Sequence, residues 1–195
     1  VRVQHQGPVT HVADKRGRCN SSTVAKAVRW AADRGAAVIN ISLEVADSPE
    51  LEAAVEHAWA CGTVVVAAAG NSGSGRPAYP AAYEQSIAVA ATNESGGLAV
   101  LSNHGEWVDI AAPGFKVYGA ALDGQYDLET GTSPAAAHVS GVAALLCGIA
   151  VDVDGNGHIN DEVREALQES ASPVSTRGMG SGLIDAAAAS RLMLV

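Results

Sequence analysis

The chain has 195 residues and a net charge of −9, with 48% hydrophobic and 17% charged residues, which points to one globular domain able to bury a sizeable core. The acidic balance excludes bulk electrostatic attraction to nucleic acid or to an anionic membrane surface. The longest apolar runs are broken by His138, Ser140 or glycine before they reach the roughly 20 residues a membrane span needs, so no transmembrane helix is expected. The opening "VRVQHQG" lacks a basic region followed by an apolar run and does not read as a secretory leader. Cys19, Cys61 and Cys147 are too scattered for a disulfide framework or a metal knuckle; Cys61 and Cys147 sit among apolar residues and read as small core side chains.

In chain order, "SSTVAKAVRWAADRG" opens on Ser, places Val24, Ala27, Val28 and Ala31 at helical spacing, and stops at Gly35, which predicts a capped amphipathic helix. "AAVINISL" is rich in β-branched residues and predicts a buried strand. "SPELEAAVEHAWACG" predicts a second helix with Ser48 as cap, Pro49 in the first turn, Glu50 and Glu52 near its positive end and Gly62 as stop. "TVVVAAAG" and, after a Gly/Ser/Pro-rich loop, "SIAVAAT" read as two more buried strands. Continuous apolar strands alternating with helices predict an α/β fold: a doubly wound, mostly parallel sheet with helices on both faces. Ligands in such folds sit beyond the carboxyl ends of the strands, where Ser42-Leu43-Glu44 and Gly70-Asn71-Ser72 fall.

The segment "ETGTSPAAAHVSGVAALL", Glu129 to Leu146, carries one hydroxyl residue into the mouth of an apolar helix. Pro134 suits the first helical turn, which places Ser133 at the N-cap. That residue is either the cap of a core helix or a nucleophile at the positive end of a helix dipole.

Five blocks then carry a resemblance: "VINISL", "VVVAAAGNSG", "YPAAYEQSIAVAAT", "WVDIAAPG" and "GTSPAAAHVSGVAALL". Their order and approximate spacing resemble the subtilisin-like serine proteases, and look closest to the thermitase-like branch. The resemblance implies a serine endopeptidase with Ser133 as nucleophile and Asn71 as side-chain donor to the oxyanion; a turn residue after Gly70 is the alternative for Asn71. His138 resembles the family's buried helical histidine, which is structural. In the family the catalytic Asp and His precede the strand that Val1 to Val3 resembles. His5, His11, His57, His104 and His158 offer no substitute by motif, and in "THVA" at Thr10 to Ala13 the catalytic His would fall where Val9 stands. Residues 1–195 are therefore expected to be a partial catalytic domain, its N-terminal part missing and the chain inactive by itself. The alternative is a non-catalytic pseudoprotease or a calcium-dependent peptide- or protein-binding module.

The resemblance further implies a peptide or protein substrate, no organic cofactor, no nucleic-acid or membrane partner, a secreted setting, and a monomer once the domain is complete. Substrate would lie along Ser42, Leu43 and Glu44, where the family usually has Gly in place of Glu44. The first specificity pocket would be formed by Ala67, Ala68, Ala69 and Gly70, with Ser72 and Ala78 near its floor; without a fixed charge it would prefer an apolar or small side chain. Glu44, by contrast, should favour basic side chains near the cleavage site.

"DVDGNGHINDEV", residues 152–163, opens like a calcium loop: Asp152, Asp154, Asn156, Gly157, and His158 through its carbonyl. The acidic closing residue comes one position early, as Glu162. The alternative is an Asx-rich turn in which Asn160 caps the next helix. By resemblance, the carbonyls of Ala81, Tyr83 and Ser86 with Asp109 form a second, weaker cation site.

Overall fold

The computed structural model describes residues 12–14, 18–121 and 124–194, so the readings placed on Val1 to Val3, His5, Val9, Thr10 and His11 lie outside the described residues. Four parallel strands, β1 (Val38–Ile41), β2 (Val64–Ala68), β3 (Ser86–Thr92) and β4 (Ile110–Pro113), form one sheet in sequence order. Every residue of β2 and β3 is buried. The alternation of side chains explains this, because each strand serves two cores. Val64, Val66, Ile87, Val89 and Ile110 face one core with α3 (Thr132–Cys147), α4 (Asn160–Glu169) and α5 (Ala186–Leu192). Val65, Ala67, Ala88 and Ile41 face the other, with α1 (Ser21–Ala32) and α2 (Pro49–Ala60). This is the α/β sheet with helices on both faces that the apolar strands predicted. Among the described residues no helix is long and apolar enough to cross a membrane.

Several local expectations change. The cap of α1 is Asn20, whose side chain accepts from the Thr23 N–H at 2.8 Å. Ser21 is already helical, and its hydroxyl bonds Ala46 O at 2.5 Å instead. The predicted caps of α2 hold: Ser48 accepts from Leu51 N at 3.4 Å and the chain leaves the helix through Gly62 at φ +79°. Helix α3 starts two residues early, with Gly131 as N-cap and Ser133 as the second helical residue. Helix α4 is preceded by Ile159, not capped by Asn160; Asn160 is buried and donates its Nδ2 to Trp59 O at 3.1 Å, tying α4 to the end of α2.

Cys147 packs against the core, and burial pushes its thiol up. Cys61 does not: it is exposed, because it caps α2 where that helix runs out to the surface. His138 is also exposed, its Nδ1 2.9 Å from Pro134 O, since nothing among the described residues covers that side of α3. An antiparallel hairpin, β5 (Val117–Ala120) with β6 (Tyr126–Glu129), was not anticipated; Tyr118 and Tyr126 stack on it at 5.4 Å and stay largely exposed.

Candidate active site

The carboxyl ends of β1 and β2 and the amino end of α3 meet around a cavity of about 300 Å³. Ser42, Leu43 and Glu44 form one wall, Ala68, Gly70, Asn71 and Ser72 another, and Thr132 and Ser133 close it. Ala69 and Ala78 are not on its surface. Alternation turns Ala69 to the far side of β2, where it packs with Ala90, Val108 and Met179. Ala78 is buried, and its carbonyl accepts from Ala82 N.

Asn71 links two of the walls. Its Oδ1 accepts the Thr132 N–H at 2.8 Å and the Thr132 hydroxyl at 3.0 Å. The first of these satisfies an orphan donor at the start of α3, so the cap that Gly131 cannot supply comes from a loop 61 residues away. With Oδ1 committed, Nδ2 is the remaining donor of this amide, and Asn71 and Ser133 line the same cavity. Gly131 leaves room for it: a Cβ there would come within 3.3 Å of both amide atoms.

The nucleophile candidate is held by a relay that single-residue reading missed. Ser140 Oγ donates to Asn40 Oδ1 at 2.9 Å, Asn40 Nδ2 donates to Ser42 Oγ at 3.0 Å, and Ser42 Oγ donates to Ser133 O at 3.3 Å. Asn40 is the one polar residue of β1, the only signal in the sequence that could have drawn notice to it. Ser133 Oγ itself makes no hydrogen bond among the described residues, and no described histidine lines the cavity.

Asn103 organises the opposite wall. It donates to Ala69 O at 2.8 Å and accepts through Oδ1 from Ser72 N, Ser72 Oγ and Ser74 N at 3.1, 2.9 and 3.0 Å. Gly70, at φ +99°, lies so close beneath this side chain that a Cβ would stand 2.5 Å from Asn103 Nδ2 and 2.8 Å from Glu44 Oε2. The Glu44 carboxylate thus lies over Gly70 at the cavity wall. Glu44 shares this cavity with Ala68, Gly70 and Ser72 of the expected specificity pocket.

Two other places were expected to hold cations. In the loop before α4, Asp152 accepts from Gly155 N and Gly157 N at 2.7 and 2.8 Å, and Asp154 from Asn156 N at 2.9 Å. These N–H donors, Gly157 first, hold the Asp152 carboxyl below its usual value. Glu162, although one position early, reaches back to Val153 N at 2.8 Å, so that oxygens of Asp152, Asp154 and Glu162 lie within 4.8 Å of one another. The second carboxylate oxygen of Glu162 is buried without a partner among the described residues. An all-oxygen set with an orphaned carboxylate oxygen fits calcium. His158 is exposed, and its N–H donates to Asn156 Oδ1 at 2.8 Å.

The second place does not fit a cation. Asp109 is taken by Arg164 Nη2 at 2.7 Å, Gln168 Nε2 at 2.9 Å and Ala88 N at 2.8 Å, while Arg164 Nη1 donates to Glu84 O at 2.6 Å. A guanidinium already supplies the positive charge there.

Comparison with known proteins adds a family to this geometry. Residues 8–183 match the sequence model of the Subtilase family. The Thermophilic serine proteinase of Bacillus sp. (strain AK1) is 43% identical over 166 residues, which is 85% of this chain and 40% of that protein. Thermitase of Thermoactinomyces vulgaris is 39% identical over 168 residues, or 86% of this chain and 58% of that protein. Among solved structures, the patellamide maturation protease PatA matches with a TM-score of 0.82 at 31% identity, covering 93% of this chain and 71% of that one. The chain thus spans about half the length of the curated relatives it matches. With a match over nearly its whole length and the same layered sheet, this chain belongs to the subtilase family of subtilisin-like serine proteases.

Proposed function

We propose that the chain supplies the nucleophile, the oxyanion donors and the substrate-binding walls of a serine endopeptidase that hydrolyses peptide bonds through an acyl-enzyme. The observation that carries this reading is the orientation of Asn71: Thr132 holds its Oδ1 twice and leaves Nδ2 as a donor on the cavity that Ser133 lines. In the proposed reaction Ser133 Oγ attacks the scissile carbonyl carbon, and its proton passes to a base that returns it to the departing amine. The charge that develops on the carbonyl oxygen is met by Asn71 Nδ2 and the Ser133 N–H, which as the second residue of α3 has no intrahelical acceptor. Water then releases the acyl group from Ser133.

The base and its orienting carboxylate are assigned to a part of the domain outside residues 1–195. What supports this is a face of α3 that no described residue covers: Pro134, His138, Val142 and Leu145 with the hairpin border a cavity of about 620 Å³, and Leu145 is 68% exposed. Substrate is read as an extended peptide along Ser42 to Glu44, with a basic side chain directed toward the Glu44 carboxylate. Calcium in the Asp152 loop belongs to the same reading. So solvated a loop suits the weak sites of about 10⁻⁴–10⁻³ M found in extracellular modules, in keeping with a secreted enzyme.

A fluorophosphonate probe, which labels activated serines, tests the proposal on this chain and on a form extended by the sequence that precedes it. The extended form labels at Ser133 and loses the label in Ser133→Ala, while the short chain stays unlabelled. Labelling absent from both would favour a peptide-clamping pseudoprotease.

A further inference from the structure

At the far end of the sheet from the cavity, where α2 ends and β2 has yet to begin, three side chains of different chemistry converge. His57 and Cys61 are one turn apart on α2, the spacing that lets two side chains of a helix share one ligand. Asp33, the C-cap residue of α1, is brought to them by the packing of the two helices. Asp33 Oδ1 lies 2.6 Å from His57 Nε2, and Cys61 Sγ lies 3.7 Å from the same nitrogen. All three ligand atoms fall within 4.8 Å of one another.

We infer that Asp33, His57 and Cys61 form a binding site for a zinc-class transition metal, joining the ends of α1 and α2. Zinc bonds of roughly 2.3 Å to sulfur and 2.0–2.2 Å to nitrogen and oxygen, in a tetrahedron, put neighbouring ligand atoms about 3.3–3.6 Å apart. The Cys61–His57 separation is already close to that value. The Asp33–His57 separation must open by less than about 1 Å, which Asp33, with a 56% exposed side chain, can do by rotating about its own bonds. A thiolate, an imidazole and a carboxylate select zinc or cobalt over calcium and magnesium, which prefer oxygen alone. On binding, the Cys61 thiol gives its proton to solvent and His57 binds through neutral Nε2. The fourth position is left to water, since Asp33 and Cys61 are both exposed.

Cobalt(II) and zinc added to the full chain test this. Cobalt should give the strong visible bands of a tetrahedral site together with a thiolate-to-metal charge-transfer band, and zinc should abolish both by displacement. Cys61→Ser should remove the charge-transfer band, whereas Cys19→Ser and Cys147→Ser should leave it. His57→Ala and Asp33→Ala should weaken binding by at least the roughly 10–100-fold that loss of even an outer-shell partner brings. All these substitutions lie at exposed or half-buried positions, and Cys61→Ser should also cancel the rise in Tm that zinc produces. The proposal is overturned if no cobalt band appears at submillimolar metal, if the band survives Cys61→Ser, or if His57→Ala binds as tightly as the parent chain.

Discussion

Thr132 donates its backbone N–H and its hydroxyl to a single atom, Oδ1 of Asn71, while the same hydroxyl accepts the Gly70 N–H at 3.0 Å. The pairing caps α3, fixes the rotamer of the proposed oxyanion donor and pins the glycine beneath the cleft. Thr132 is wholly buried, so Thr132→Val strands the Gly70 N–H and should cost about 1–3 kcal/mol in denaturant unfolding. Thr132→Ser keeps the hydroxyl and should lose less.

Asn71→Asp separates the two roles of the amide. A carboxylate can still accept from Thr132, so α3 keeps its cap and the thermal midpoint should change little. It offers no donor to the oxyanion, so turnover of the complete enzyme should collapse. The loss of such an Asn in a subtilisin is the reference case, at roughly 10²–10³ in kcat, and that figure is taken over here from that case. A variant whose turnover is undiminished would remove Asn71 from the mechanism.

The carboxylate of Glu44 above Gly70 should sort substrates by charge. Because Glu44 is exposed, the preference for Lys or Arg over a neutral side chain of similar size should stay below about 1 kcal/mol and fade with salt. Peptide-library cleavage by the complete enzyme checks this against Glu44→Gln. Matching profiles for the two would show that the charge has no part in recognition.

Arg164 and Asp109 form the most enclosed ion pair among the described residues, with side chains 22% and 14% exposed. Arg164→Gln leaves the Asp109 carboxylate with N–H donors and no countercharge. A loss of about 3 kcal/mol is expected, near the lower end for removing one partner of a buried pair. Added calcium should not restore it if the site lacks the geometry of a cation cage. Unfolding curves with and without calcium give both answers.

The Asp152 loop should respond to pH and to calcium together. The folded carboxyl titrates below its unfolded value, so its contribution to stability is complete above the ordinary carboxylate range and disappears as pH falls through the lowered folded value. Thermal midpoints of the parent chain and Asp152→Asn should therefore differ at neutral pH and converge in strong acid. Millimolar calcium should raise the midpoint of the parent chain only. An equal rise in both would place calcium elsewhere.

What the sequence disclosed followed from local rules. The run Ser86–Thr92 is a strand from end to end, and Ser48, Pro49 and Gly62 bound α2 where cap chemistry puts them. Residue type alone points Ser21 and Ser133 to helix caps, and Asn160 to one in the alternative to a calcium loop. In the folded chain Asn20, Asn71 and Ile159 stand at those helix starts, two of them through geometry that no local rule encodes. Asn40, Asn103 and Ser140 were not anticipated because a polar pair 31 or 100 residues apart leaves no periodic trace. Exposure of His138 and Cys61 likewise depends on what covers a surface, which composition does not report. The hairpin had a signal, an Asp-Gly step between "VYGA" and "YDLE", but its strands are too short and too exposed to show clear alternation.

The relay from Ser140 through Asn40 and Ser42 to Ser133 has a kinetic meaning as well. Its links join residues 100 and 91 positions apart, so the walls of the cleft meet only after the long loops between them have closed. Contacts of such sequence separation form late, because the entropy of loop closure must be overcome before they contribute stability. A chain in which these loops have not yet closed is therefore expected to lack the walls around Ser133, whether or not α3 has formed. The topology thus puts closure of the walls around Ser133 among the last steps expected of folding.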